Sequence, residues 1–408
     1  MITVITSMLI TTTLVLIFRL LNAKWKPPIF GVYQQRNKFY YFKFILMYII
    51  LKLRQLKTWL KRTYPVLIGK SDDGTIHVHK DDDVYEQKFY LGDHLMSVDA
   101  VYFNGMSQNG DAVICGLARR PKKTCDTFVY LKVAGYDLLL SPMLPDTYIQ
   151  QTMLEEGEYK VQGLEIVKFI PMRTWKIMYK GDMKPKSNSD KKITVEMNLT
   201  WSAHWSPFNF DWQISPSCMA ADLAREQWSR DYFKLLTKYH QSHYEQMGYL
   251  KGTVLIDGKE HTLNMPCIRD HSFGHVRDWK TFHRYVLHFM FLENGDCLAV
   301  GSVSQPVLLS HLTIGYVCRA SDQKVVPITY SDFKLYHHGE NQILPRDYGF
   351  VFVADGNTYS VKVQVNDEDT FFMGKEKEVK LYERWSTVEV NGIKGWGCLE
   401  WLYNNVTK

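Results

Sequence analysis

The sequence predicts an all-β body of antiparallel barrels or sandwiches behind a helical leader suited to a membrane. Three observations carry this. From about residue 74 onward, short runs of alternating polar and apolar residues are separated by turn residues. Aromatic residues make up 14% of the chain, with 25 tyrosines, which favours strands and large apolar pockets over a helical bundle. Residues 1–70 hold twelve of the 49 basic residues and none of the 43 acidic ones.

The leader comes first. Residues 2–18 are uncharged and almost wholly apolar or threonine. With Arg19 snorkelling, residues 1–26 approach the roughly 20 residues that cross a bilayer, so a transmembrane anchor is expected there. Lys24 and Lys26 close it on the C-terminal side, after Leu20-Leu21, and positive charge on that side puts the body in the cytosol. Residues 27–68 are expected to form a basic amphipathic helix on the membrane surface. Their apolar stretch, Phe44 to Leu51, is too short to span. The remaining chain has more acidic than basic residues, which argues against nucleic acid and for an anionic membrane as partner of residues 1–62.

In the body, strands are expected at 75–79, 98–103, 127–133, 192–201, 248–256, 285–292, 312–318, 349–353 and 359–365. Asp257-Gly258, Asn294-Gly295 and Asp355-Gly356 are hairpin signals. A single helix over 219–239 is rich in Ala, Leu, Glu, Lys and Arg. It divides the body into units 69–216 and 242–408, with 217–241 as linker. The octets Asn109–Gly116 and Asn294–Gly301 echo each other, Asn-Gly-Asp opening both, which suggests duplication.

The seven cysteines are scattered and contain no Cys-x-x-Cys pair, so free thiols in a reducing compartment are expected. No phosphate loop, zinc-protease helix, nucleophile elbow or calcium loop occurs. His77, His79 and His94 read as surface residues, and no metal or cofactor is expected.

Residues 269–279 concentrate the chemistry. Asp270, Asp278, His271, His275, Arg269 and Arg277 fall within eleven positions around Gly274. Burying such charge requires either mutual pairing or a function. On an extended backbone Asp270 and Ser272 share one face, and Arg269 and His271 the other.

Asp270-His271-Ser272-Phe273-Gly274 followed by Arg277-Asp278-Trp279 resembles the signature of the carotenoid 1,2-hydratase (hydroxyneurosporene synthase)-like, or AttH-like, superfamily. His243-Tyr244-Glu245-Gln246 and Gly395–Trp401 accompany it. Phe273 stands where that signature has Trp, and two residues rather than one separate Gly274 from Arg277. The resemblance covers about residues 70–408 and marks the chain as a membrane-anchored animal member. It implies two lipocalin-like antiparallel β-barrels joined by the helix. It also implies a hydrophobic small-molecule ligand, isoprenoid- or polyketide-like, and grouping with hydratases and cyclases.

Acid-catalysed hydration or cyclisation needs a proton donor in a dry, aromatic pocket. Asp270 is the first candidate acid and His271 the second. Ser272, Phe273, His283, Tyr285, Phe289 and Phe291 are candidates for binding substrate. Arg269, Arg277, Asp278, Glu245 and Glu400 are expected to support the site as ion pairs. A non-catalytic carrier of a hydrophobic ligand, and an interaction module for a membrane-bound partner, are the alternatives.

Overall fold

The computed structural model describes residues 25–63, 86–92, 94–150 and 158–406, with isolated helical positions at 6–8, 11–12 and 14–15. Most of the expected anchor, the strand over 75–79, and His77 and His79 lie outside the described residues. Among those described, no helix is long and apolar enough to cross a membrane.

The body is all-β. Its first sheet has twelve strands: β1 (Val98–Met106), β2 (Ala112–Arg120), β3 (Thr124–Lys132), β4 (Leu139–Leu140), β5 (Tyr148–Gln150), β6 (Tyr159–Val161), β7 (Leu164–Ile170), β8 (Thr174–Pro185), β9 (Ile193–Ala203), β10 (Phe208–Asn209), β11 (Ser242–Ile256) and β12 (Lys259–Gly274). The antiparallel path runs β11-β12-β1-β2-β3-β4-β8, and β9 pairs with both β8 and β11, so the path returns on itself. The second sheet is a closed eight-stranded barrel: β13 (Arg284–Leu292), β14 (Cys297–Gln305), β15 (Leu309–Arg319), β16 (Lys324–Ser331), β17 (Asp347–Ala354), β18 (Asn357–Met373), β19 (Val379–Val390) and β20 (Ile393–Asn404).

Two expectations are corrected. The boundary at residue 242 is displaced, because β11 and β12 close the first sheet against β9 and β1, and the barrel of the second unit begins at Arg284. Alternation along one strand cannot say which partner it will find. The single helix over 219–239 is instead two, α2 (Pro216–Leu223) and α3 (Arg230–Lys238), preceded in the chain by α1 (Tyr40–Thr63). The break comes from tertiary contacts. Asp222 accepts the Thr313 N–H at 2.8 Å, and Glu226 turns inward to the Ser310 N–H at 2.9 Å. Ser229 then caps α3 by accepting the Tyr232 N–H.

Each barrel has its own core. Val101, Phe103, Trp175, Trp201, Leu250 and Met265 help to fill the first, and Val286, Met290, Phe352, Val363 and Trp401 the second. The outward residues of the facing strands are buried too. Ile114, Phe128 and Tyr130 pack on Phe371, Leu381 and Trp385, and Met247 and Ile268 join Phe289 and Phe291 in a neighbouring cluster. Strands such as β2 and β14 are therefore apolar on both faces, as continuous apolar runs require.

The hairpin signals hold. Asp257-Gly258 and Asp355-Gly356 place both central residues at positive φ, the geometry of a type I′ turn. The echoed octets occupy the first hairpin of each unit. Asp111 Oδ1 accepts the Ala134 N–H at 2.8 Å, and Asp296 Oδ1 accepts the Ala320 N–H at 2.7 Å.

A candidate active site between the barrels

The site is a cavity of about 400 Å³ between the outer faces of the two barrels, within the roughly 300–1,000 Å³ of small-molecule pockets. Ala100, Tyr102, Phe128 and Asp270 line it from the first sheet, and Tyr285, Phe289, Phe371 and Glu400 from the second. Residues 210–243 form part of its wall through Phe210, Ile214, Met219, His240 and His243.

Alternation on β12 aims Asp270 and Ser272 into this cavity and Arg269 and His271 into the first barrel. Register sets Glu245 of β11 directly opposite Asp270. His243, two residues before Glu245, lies on the same face. Its Nε2 is 2.9 Å from Asp270 Oδ2 and 3.5 Å from Glu245 Oε1, and its ring stacks on Phe210. Burial alone would lower the His243 pKa, but Asp270 and Glu245 outweigh it and hold the imidazole above its ordinary value. Burial alone would raise Asp270, but His243 and then Arg277 hold it below the usual carboxylate range. Glu245 is 1% exposed with Oε2 unpartnered. Burial pushes its carboxyl up to about 8, against the opposing pull of His243.

A second carboxyl pair faces the first across the cavity. Register places Glu383 of β19 opposite Glu400 of β20. Tyr102 donates to Glu383 Oε1 at 3.1 Å, and Tyr285 donates to Glu400 Oε1. Burial raises the Glu400 carboxyl to about 7, and burial with the Glu400 charge raises Glu383 well above its ordinary value. Two buried carboxyls this close share protons at neutral pH.

The structure separates residues that adjoin in sequence. Asp270 is ionised, so it is not the protonated acid expected. His271 is buried in the first barrel, its Nε2 2.8 Å from Asp99 Oδ1 and its Nδ1 2.8 Å from the Tyr244 hydroxyl. Arg269 pairs with Glu86 at 2.5 Å and lies about 5 Å from the Trp175, Trp201 and Tyr244 rings. Arg277 does line the cavity, bonded to Gln241 Oε1 at 2.6 Å, with burial lowering its pKa to about 10. Asp278 caps the turn at Trp279–Thr281 by accepting the Lys280 N–H. Among the described residues, no salt bridge joins Arg269 or Arg277 to Asp270, Asp278, Glu245 or Glu400, so the expected ion-pair support is corrected to these other partners.

Ser272, Tyr285 and Phe289 line the cavity. Phe273 packs instead on Phe89 and His271. His283 binds Glu340 at 2.6 Å at the end of the second barrel. Phe291 is buried in the apolar contact beside the cavity. His243, Glu383 and Tyr102 were not expected as site residues. The His243-x-Glu245 alternation was a usable signal for the first; nothing local marks the other two. One ligating atom each from His243, Glu245 and Asp270 lie within 4.8 Å of one another, an arrangement able to hold a divalent cation.

Fold and site together define an all-β protein of two facing sheets with an acidic, aromatic cavity between them. Residues 8–403 match a family of unknown function (DUF8627), and the chain belongs to that family. No curated protein matches it in sequence. In structure it is similar to a putative AttH from Nitrosomonas europaea, with a TM-score of 0.51 and 10% identity over 76% of this chain and 93% of that one. It is also similar to kievitone hydratase from Nectria haematococca, with a TM-score of 0.48 and 11% identity over 76% and 90%. The first likeness shows the lipocalin-like fold of the AttH type; neither assigns chemistry.

Proposed function

We propose that the chain takes a hydrophobic, isoprenoid- or polyketide-like molecule into the inter-barrel cavity and transforms it by proton transfer, as a hydratase or cyclase. The observation that carries this is Glu400, a carboxyl facing an apolar cavity and still protonated near neutral pH. In such a site a proton donor needs no metal or cofactor. Glu400 gives its proton to an unsaturated carbon of the substrate. The ring of Tyr102 and those of Phe128 and Phe289, each 6.2 Å from it, tolerate the positive carbon that results. Water, or another double bond of the same molecule, then attacks that carbon. The proton released is accepted by the Asp270 carboxylate and returns to Glu400, so the reaction is proton-neutral. A substrate of this class resides in bilayers, which suits attachment of residues 1–62 to a membrane with the body on the cytosolic side. The seven free, buried cysteines suit that compartment.

The test is a lipid extract of the purified protein analysed by mass spectrometry, for wild type and Glu400→Gln. The variant is expected to retain unconverted substrate, lighter by one water for a hydration or equal in mass for a cyclisation. Equal binding with the same molecule in both proteins leaves a carrier, and no bound apolar molecule in either sinks the reading.

A further inference from the structure

The helix α1 has two unlike faces. Tyr40, Lys43, Met47 and Gln55 face the body. Lys43 is buried and donates from Nζ to the Glu226 carbonyl at 2.5 Å, and Met47 packs with Met219 and Leu223. On the opposite side, Phe42, Ile45, Ile49, Leu53, Leu56 and Leu60 follow at spacings of three and four and form one stripe. Each is between 41% and 69% exposed. Six large apolar side chains in one row on an outer surface mark a binding face rather than scattered exposure.

The flanks identify the partner. Lys52 and Lys57 are exposed on either side of the stripe, Tyr41 and Trp59 border it, and the helix carries no acidic residue. Apolar face, cationic flanks and bordering aromatics match a helix lying in the headgroup layer of an anionic bilayer. A protein partner would call for acidic groups spaced to match, whereas a bilayer offers diffuse negative charge over a flat apolar interior.

The helix also sits at the cavity mouth. Gln55 Nε2 donates to the Trp212 and Ile214 carbonyls at 3.1 and 3.3 Å, and Ile214 and Met219 line the cavity. His240 is the one exposed residue of the lining among those described; its hydrogen bond to Asp211 holds the imidazole above its ordinary value, and Arg54 lies near enough for its charge to oppose that rise.

We infer that α1 lies flat on an anionic bilayer with the Phe42–Leu60 stripe inserted, holding the mouth at His240 against the membrane surface. That the mouth receives its ligand there rests on the proposed apolar-ligand function; the docking itself does not.

All seven native cysteines are buried, so Leu53→Cys in the full chain accepts one environment-sensitive fluorophore. The probes are phosphatidylcholine vesicles with and without 30% phosphatidylserine. Label depth is read rather than sedimentation, because the apolar residues 2–18 are themselves attracted to lipid. The label is expected to shift blue, at least double in intensity and be quenched by lipid-borne quenchers on anionic vesicles. The same label at Lys259→Cys, on the exposed β11–β12 hairpin, should stay in water. The double change Lys52→Glu, Lys57→Glu should cut the anionic enhancement at least fivefold. Two outcomes overturn the inference. One is a label that stays water-exposed on protein-bearing vesicles. The other is a label shielded before lipid is added, which would mean that another stretch of the chain or a second copy covers the stripe. Neither outcome touches the lipid-extract result, so docking and ligand chemistry fail separately.

Discussion

Replacing Glu400 by Gln should make the protein less sensitive to rising pH. Burial raises this carboxyl from 4.5 to about 7. Between those values the native protein holds a proton that the unfolded chain has released, so stability falls as pH rises from 4.5 to 7 and levels off above. At about 1.4 kcal/mol per pH unit, that interval costs the native state about 3 kcal/mol. The Glu400 charge raises Glu383 and the Asp270 charge adds to the rise at Glu400, so the loss belongs to the group jointly. Gln keeps the shape and an acceptor for the Tyr285 hydroxyl but cannot ionise. Urea unfolding of both proteins at pH 5 and pH 8 measures the effect. The variant should gain about 3 kcal/mol on wild type between the two pH values. Equal losses in both proteins would show that Glu400 ionises freely and would remove the basis for its role as acid. A variant that is more stable at pH 8 yet converts no ligand would show why so costly a carboxyl stands there.

Three further outcomes check other parts of the structure. Arg269→Met should cost about 3–5 kcal/mol in chemical denaturation, because it leaves the fully buried Glu86 carboxylate with the Tyr244 hydroxyl but without its cationic partner. Gly397→Ala should prevent folding or lower the melting temperature steeply, since its Cβ would sit 1.9 Å from the Phe289 carbonyl oxygen; a normal melt would refute the β13–β20 approach. None of the seven thiols should react with a thiol reagent in the native protein, all seven doing so in urea. Each is buried, with burial pushing Cys115, Cys125, Cys218 and Cys297 up to about 12 and Cys267, Cys318 and Cys398 higher than usual.

By itself the sequence determined the local terms of this protein. Alternation marked most strands, and Asp-Gly pairs marked two hairpins whose backbone demands positive φ. The 3.6-residue spacing and lack of acid marked α1. The two-residue period of β12 put Asp270 and His271 on opposite faces before any partner was known. Tertiary structure decided what each face met. Asp270 met His243 of the neighbouring strand β11 at the cavity wall, and His271 met Asp99 inside the first barrel, so two adjacent residues entered separate networks. The acid site itself joins Glu383 and Glu400 of one barrel to Tyr102, 281 positions before Glu383. Burial and like-charge proximity raise a carboxyl's pKa, and both are properties of the assembled interface. A strand read alone carries its pattern but neither its neighbours nor its dielectric surroundings, which is why the cavity and its protonated carboxyls emerged only when the two sheets came together.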